Sequence, residues 1–234
     1  MKKYSLYLIL FLFSPILLFS QQTASDFFKT ISDKYAGIES YTADFKITSG
    51  VRSNIVQEGT ISYKSPNLLR LDYSSPAEQV LNVNSRKISI YVPAHGTLFE
   101  QTINSEEEAL ALETSGLTSQ GLALFSTNYS ISYVNGPELE ILDESNPEEV
   151  YKLRLLPRKF SEPFSRIIIS ITSDGFIRRL ESTTRTGETI IFDIIDIDID
   201  ANINIKIFDY EAPPTTVTLR DFLFDLEEDS EWNH

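Results

Sequence analysis

The spacing of hydrophobic positions changes period twice along the chain. Phe27, Phe28, Ile31, Tyr35 and Ile38 recur every three or four residues, which predicts an amphipathic helix with Thr23 or Ser25 as N-cap, broken at Gly37 and Ser40. From Tyr41 the period is two. Tyr41, Ala43, Phe45 and Ile47 alternate with polar residues, and the alternation returns at Ile61 and Tyr63, at Leu69, Leu71 and Tyr73, and at Ile88, Ile90 and Val92. Short connections rich in turn formers (51–54, Ser65-Pro66-Asn67, Ser74-Ser75-Pro76, 84–86) favour neighbours in one antiparallel meander and leave no room for βαβ crossovers.

Between Glu107 and Phe125 the apolar residues Ala109, Leu110, Leu112, Leu117, Leu122, Leu124 and Phe125 are interrupted by Gly116 and Gly121, and Ser105 with Glu108 forms a capping box, so two short helices with glycine hinges are expected. Strand periodicity then resumes at 130–134, 150–156, 166–172, 176–184 and in a long run from Thr189 to Ile207. Ser173-Asp174-Gly175 and Arg185-Thr186-Gly187 supply hairpin turns. No fixed-period repeat or low-complexity linker divides the chain, so one domain is expected, followed by an acidic tail.

The N-terminus reads as an export signal. Lys2 and Lys3 precede an almost unbroken apolar run from Leu6 to Phe19, ending at Ser20-Gln21-Gln22. The expected division is residues 1–20 as signal, 21–220 as the domain and 221–234 as the tail. Leu18 is bulkier than the small residue usual three positions before a cut, which leaves an uncleaved anchor as the alternative, although the run is short for a spanning helix.

Composition narrows the function classes. The net charge of −14 repels phosphate backbones and removes the main electrostatic warrant for nucleic-acid binding, and it disfavours an anionic membrane surface. Zero cysteines exclude disulfide frameworks, thiolate metal sites, thiol nucleophiles and lipidation through cysteine. His95 is the one histidine inside the chain and sits in Pro93-Ala94-His95-Gly96, a turn. No G-x-S-x-G sequence accompanies it, so hydrolysis by a serine triad has no residues to run on and no enzyme is expected. The run Ile195-Asp196-Ile197-Asp198-Ile199-Asp200 lacks the glycine and distal Glu of a calcium loop, and reads instead as a strand with aspartates on its wetted face; no metal and no cofactor are expected.

A large antiparallel sheet must cover one face, and only short helices are available to do so. A strongly curved sheet, an incomplete barrel, can be plugged by so little helix, and a loosely plugged apolar barrel is a cavity suited to lipid.

Several runs carry a resemblance. Gln57-Glu58-Gly59, Lys64 to Tyr73, Pro76 to Leu81 and Ile88 to Pro93 resemble the first half of the LolA family, periplasmic carriers of lipoproteins. Asp174-Gly175-Phe176-Ile177, Gly187 to Phe192 and Phe208 to Val217 resemble its closing hairpins and its Pro-Pro ending. The resemblance covers roughly residues 27–217 in order. It implies a mainly β (α+β) fold, an unclosed barrel of about eleven strands with a lid of short helices over a hydrophobic cavity for acyl chains. It also implies a monomeric, non-catalytic carrier in the periplasm that takes acylated lipoproteins from an inner-membrane ABC transporter to the outer membrane, in some lineages to an acceptor of similar fold. That acceptor is anchored by an N-terminal cysteine, which this chain lacks. Regulatory relatives use the same scaffold to sense lipoproteins, so an envelope sensor or lipid- or glycolipid-binding module is the alternative, and a structural envelope protein with a solid core a third.

By alternation Tyr41, Ala43 and Phe45 share a side with Leu69, Leu71 and Tyr73, and Tyr35 and Ile38 can meet them. Together with Leu110, Leu117, Leu122 and Leu124 of the lid these are the candidate cavity residues, and each reads equally as ordinary core. The family usually has an arginine where Ser65 stands, which hydrogen-bonds the lid. Ser65 cannot reach that far, so either Lys64 or Arg70 substitutes or closure is weaker. In the tail, Phe222, Leu223, Phe224 and Leu226 are candidates to dock on a sheet edge or a partner, against the alternative of a solvated end.

Overall fold

The structure, a computed structural model, describes residues 22–50, 55–84, 86–103 and 117–220. Helix α1 (Ala24–Ala36) begins at Thr23, whose Oγ1 accepts from the Asp26 N–H at 3.1 Å, and stops at Gly37, whose N–H returns to the Lys34 carbonyl. Its buried side is the stripe Phe28, Ile31 and Tyr35.

A single curved sheet follows, built from β1 (Ser40–Ser49), β2 (Ile55–Lys64), β3 (Leu68–Ser75), β4 (Val80–Val83), β5 (Lys87–Val92) and β6 (Thr97–Thr102), then helix α2 (Ser119–Asn128), then β7 (Tyr129–Tyr133), β8 (Glu140–Asp143), β9 (Asn146–Pro157), β10 (Phe164–Thr172), β11 (Ile177–Thr184), β12 (Thr189–Ile199) and β13 (Val217–Arg220). The order across it is β13-β6-β5-β4-β3-β2-β1-β12-β11-β10-β9-β7, with β8 folded onto β9. The sheet stays open, with β13 and β7 at its edges, and joins the two halves of the chain where β1 pairs with β12.

The meander and its turns follow the alternation. Gly175 and Gly187 take φ of 84° and 88° in the two hairpins, a conformation that costs glycine nothing. Gly59 is required for another reason. β3 bulges at Ser74 opposite Glu58 and Gly59 of β2, and a Cβ on Gly59 would lie 2.1 Å from the Asp72 carbonyl oxygen.

Four strands escape the periodicity: β4, β6, β8 and β13, the last pairing parallel with β6 and so departing from a purely antiparallel meander. The expected strand to Ile207 ends at Ile199. Asp200 takes φ of 61°, and the chain turns into a 3₁₀ segment, Ile205–Phe208, that crosses the outer face of the sheet. Asp196, Asp198 and Asp200 are exposed while Ile197 and Ile199 pack on the core, the division that alternation requires. The anticipated helix after Ser105 and the acidic tail lie outside the described residues.

The main core lies between the inner face of the sheet and the two helices. Phe28, Leu122, Ile61, Leu153, Leu155, Ile169 and Ile171 have no solvent contact. A smaller cluster, Val80, Tyr91 and Leu98, lies on the outer face under Tyr210 and Ala212 of the C-terminal segment. Arg70 secures that segment: its Nη1 donates to the Ile207 carbonyl at 2.6 Å, Nε and Nη2 hold the Asp72 carboxylate at 2.8 and 2.7 Å, and its guanidinium lies 5.3 Å from the Tyr210 ring.

Candidate apolar binding face

The inner face divides into two zones. In the first, α1 and α2 close over the sheet. Tyr35, Ile38, Tyr41, Ala43, Leu69, Leu71, Leu117 and Leu122 fall here, each no more than 6% exposed, and Phe45, 2% exposed, stands at the border with the second zone. These positions, anticipated from the sequence, are thus brought together in one cluster, and their present environment is close-packed. Leu124 is partly buried on α2, and Leu110 lies outside the described residues.

Three tyrosine hydroxyls sew the first zone together. Tyr41 donates to the Leu117 carbonyl at 2.7 Å, at the entrance to α2. Tyr35 accepts from the Ile177 N–H at 2.9 Å and so ties α1 to β11, and Tyr63, its ring 5.1 Å from that of Tyr41, donates to the Pro66 carbonyl at 3.2 Å. Burial pushes the phenols of Tyr35 and Tyr41 well above the ordinary tyrosine value, so both remain neutral hydrogen-bonding groups.

The second zone is apolar but only half covered. Ile47, Tyr73, Leu81, Val83, Phe164 and Phe192 pack against the main core while keeping exposed surface. Phe45 forms the floor between them, stacked on Phe192 at 5.5 Å and edge-on to Tyr73 at 5.0 Å. The register explains the meeting of Phe45 and Tyr73: both stand opposite Gly59, one on each neighbouring strand, so the rings close over a position with no side chain. Ile47, Tyr73, Phe164 and Phe192 all lie within three residues of strand ends on the same edge of the sheet, which makes that edge the mouth of the face. Ile47 continues the alternation that selected Phe45, whereas Phe192 is in phase with Asp196 and Asp198 along its strand and reaches the inner face only because the register of β12 against β1 shifts between them.

Charged side chains on these strands point to the opposite face. Lys46 pairs with Glu58 at 3.2 Å and Arg70 with Asp72 at 2.7 Å. A cleft of about 610 Å³ beside them is lined by Asp44, Lys46, Glu58, Asp72 and Ser74 together with Phe45, Tyr73 and Ile195. Arg70 therefore serves the C-terminal segment; Ser65 is exposed and gives its backbone N–H to the Glu39 carbonyl, and Lys64 is half-buried beside it. Most of the expected lid lies outside the described residues; among those described, Tyr41 and Tyr35 make the hydrogen bonds that join sheet and helices.

Among the described residues the face offers no nucleophile paired with a base. Its chemistry is apolar contact, aromatic edges and a few neutral hydroxyls, suited to long aliphatic chains.

Known proteins share this construction. One comparison is with an outer-membrane lipoprotein carrier protein of Pseudomonas paraeruginosa, 24% identical over 156 residues, which span 67% of this chain and 68% of that protein. An uncharacterized conserved protein from Thermus thermophilus superposes with a TM-score of 0.54 at 10% identity, covering 82% of this chain and 96% of the other. A chain of the Pseudomonas aeruginosa MucA/MucB complex superposes with a TM-score of 0.50 at 12% identity, covering 84% and 63%. At such identities the two structures establish the fold alone. The profile of the family described as outer membrane lipoprotein carrier protein LolA matches residues 36–211, from the end of α1 through the segment that Arg70 holds, and the chain belongs to the LolA family.

Proposed function

We infer that this protein is an exported, non-catalytic carrier that shields the acyl chains of lipoproteins on the inner face of its sheet and moves them from the inner to the outer membrane. The observation that carries this reading is the second zone: apolar side chains, floored by Phe45 and edged by Tyr73 and Phe192, that keep exposed surface beside the buried core.

The energetics fit the task. Each exposed methylene costs about 0.8 kcal/mol, so a chain of about sixteen carbons faces a gross barrier on the order of 10 kcal/mol to crossing water. An apolar cavity removes most of it. Loading from a bilayer, where the chain is already buried, gains little, so the carrier needs an energised donor such as a lipoprotein-releasing ABC transporter. Release needs only an acceptor that binds better. No step requires a catalytic residue.

The test is to isolate the protein from the periplasm without detergent and weigh what it carries by intact and lipid mass spectrometry. Acylated peptide at near-stoichiometric amount is expected. A ligand-free mass, together with no fluorescence gain from an added fatty-acyl probe, would overturn the reading and leave a shared fold with a solid interior.

A further inference from the structure

The mouth edge of the sheet carries a feature that a carrier cavity does not need. Between β9 and β10 the chain makes a loop, 158–163, with the ring of Phe160 at its tip, 86% exposed. A solvent-facing phenylalanine on a loose loop would be unremarked, but this one is held. The Arg185 guanidinium, from the neighbouring hairpin, lies 3.9 Å from the ring. It donates from Nε to the Glu162 carbonyl at 2.9 Å and from Nη2 to the Lys159 carbonyl at 3.4 Å. Arg158 pins the start of the loop, through its N–H to the Asn128 carbonyl at 2.8 Å and its Nε to the Tyr129 carbonyl at 3.1 Å. The loop is thus anchored to two other elements in a way that presents the ring outward to solvent.

The charge around the tip reverses that of the whole chain. Residues 158–166 hold three cations, Arg158, Lys159 and Arg166, against one acid, Glu162, in a protein of net charge −14. The Glu162 carboxylate is turned to the Tyr129 phenol, Arg166 faces Glu181 at 3.8 Å, and Arg158, Lys159 and Arg185 form no salt bridge among the described residues. At the same edge, Ile55 and Val56 at the start of β2 are 57% and 43% exposed. Phe160 and this pair flank the strand ends that carry Ile47, Phe192 and Phe164, so they border the mouth.

We propose that this rim is a bilayer-docking surface: Phe160 enters the headgroup boundary, Arg158, Lys159 and Arg185 meet lipid phosphates, and the mouth of the apolar face is thereby set against the membrane. An aromatic ring capped by a guanidinium is matched to that boundary, where one side is apolar and the other is wet and anionic. A local basic rim on an otherwise acidic body also fixes orientation, since every other approach is repelled by anionic lipid. The proposal stands apart from acyl binding, because a protein can hold an acyl chain without touching a bilayer, and the reverse.

The exported full chain should float with protein-free vesicles of phosphatidylethanolamine and phosphatidylglycerol, and salt should weaken the association. F160A should lower the partition coefficient about tenfold, F160E abolish it and K159E weaken it chiefly at low salt. Because Phe160 supports nothing in the core, the three variants should keep the wild-type unfolding temperature and fatty-acyl probe affinity, which separates failure here from failure of the carrier reading. Absence of wild-type flotation, or F160A floating as well as wild type, overturns the proposal. Binding only to vesicles that contain inner-membrane proteins would assign the tip to a protein partner and overturn it equally.

Discussion

The hydroxyl of Tyr41, at the centre of the sheet, donates to the carbonyl of Leu117, the residue that leads into α2, across 2.7 Å of buried space. This bond joins the sheet to the helical cover next to Thr118, the α2 N-cap, whose side chain accepts from the Gly121 N–H. Y41F keeps the ring and its contact with Tyr63 but orphans the Leu117 carbonyl. The expected cost is about 1–3 kcal/mol. Amide exchange in α2 should quicken more than exchange in β1, and a uniform change across both would show that Tyr41 acts through packing instead.

Gly59 makes a sharper claim about the sheet. A methyl there meets the Asp72 carbonyl oxygen at 2.1 Å and the Tyr73 Cα at 2.8 Å, both backbone atoms that cannot swing away. G59A must therefore shift β2 against β3 and part the rings of Phe45 and Tyr73 that meet over it. A loss of about 3 kcal/mol is expected, seen as a lower urea midpoint with unchanged slope. Wild-type stability in G59A would mean that the β2–β3 bulge is not as close as described.

How much of this was legible in the sequence depends on how many faces each strand covers. β1 and β3 have one buried and one wetted face, and their period of two announces them. β4 does not, because both its faces are covered: Leu81 points inward while Val80 lies under the C-terminal segment. In β6 the buried positions are Leu98, beside Tyr91, and the polar Gln101, and strands of four to six residues with adjacent apolar residues have no alternation to read. The Ile-Asp alternation misled in the other direction, for side-chain pattern persisted through Asp200 although the backbone there leaves the strand. For the site, alternation identified the correct face but not which part of it stays open.

The buried tyrosines give the protein an alkaline limit. Tyr35 and Tyr41 have folded values raised above the ordinary phenol value of about 10, chiefly by burial, with Asp174 adding to the effect at Tyr35 and Tyr63 at Tyr41. A group whose value is raised on folding contributes stability that is intact below its unfolded value and lost as pH climbs towards the folded one. Thermal unfolding temperature should therefore be flat from pH 7 to about 9 and fall steadily above about pH 10. In Y41F the fall should be shallower, since one of the two ionisations is gone. An identical slope in Y41F and wild type would assign the alkaline limit to other groups.

The two zones of the inner face predict opposite behaviour for two apolar substitutions. Leu122 is fully buried in the first zone, so L122A opens a cavity and should cost about 2–5 kcal/mol of stability. Phe192 lies in the second zone, half exposed and stacked on Phe45, so F192A removes less packing and should cost about 1–2 kcal/mol. Its larger effect should fall on ligand. If acyl chains lie along Ile47, Tyr73 and Phe192, F192A should weaken a fatty-acyl probe about tenfold, whereas L122A, measured where it is still folded, should change affinity much less. Titration of both variants with the same probe, beside their unfolding curves, separates the two quantities. Equal affinity loss in both would merge the zones into one cavity, and loss confined to L122A would place the acyl site under the helices, away from the mouth.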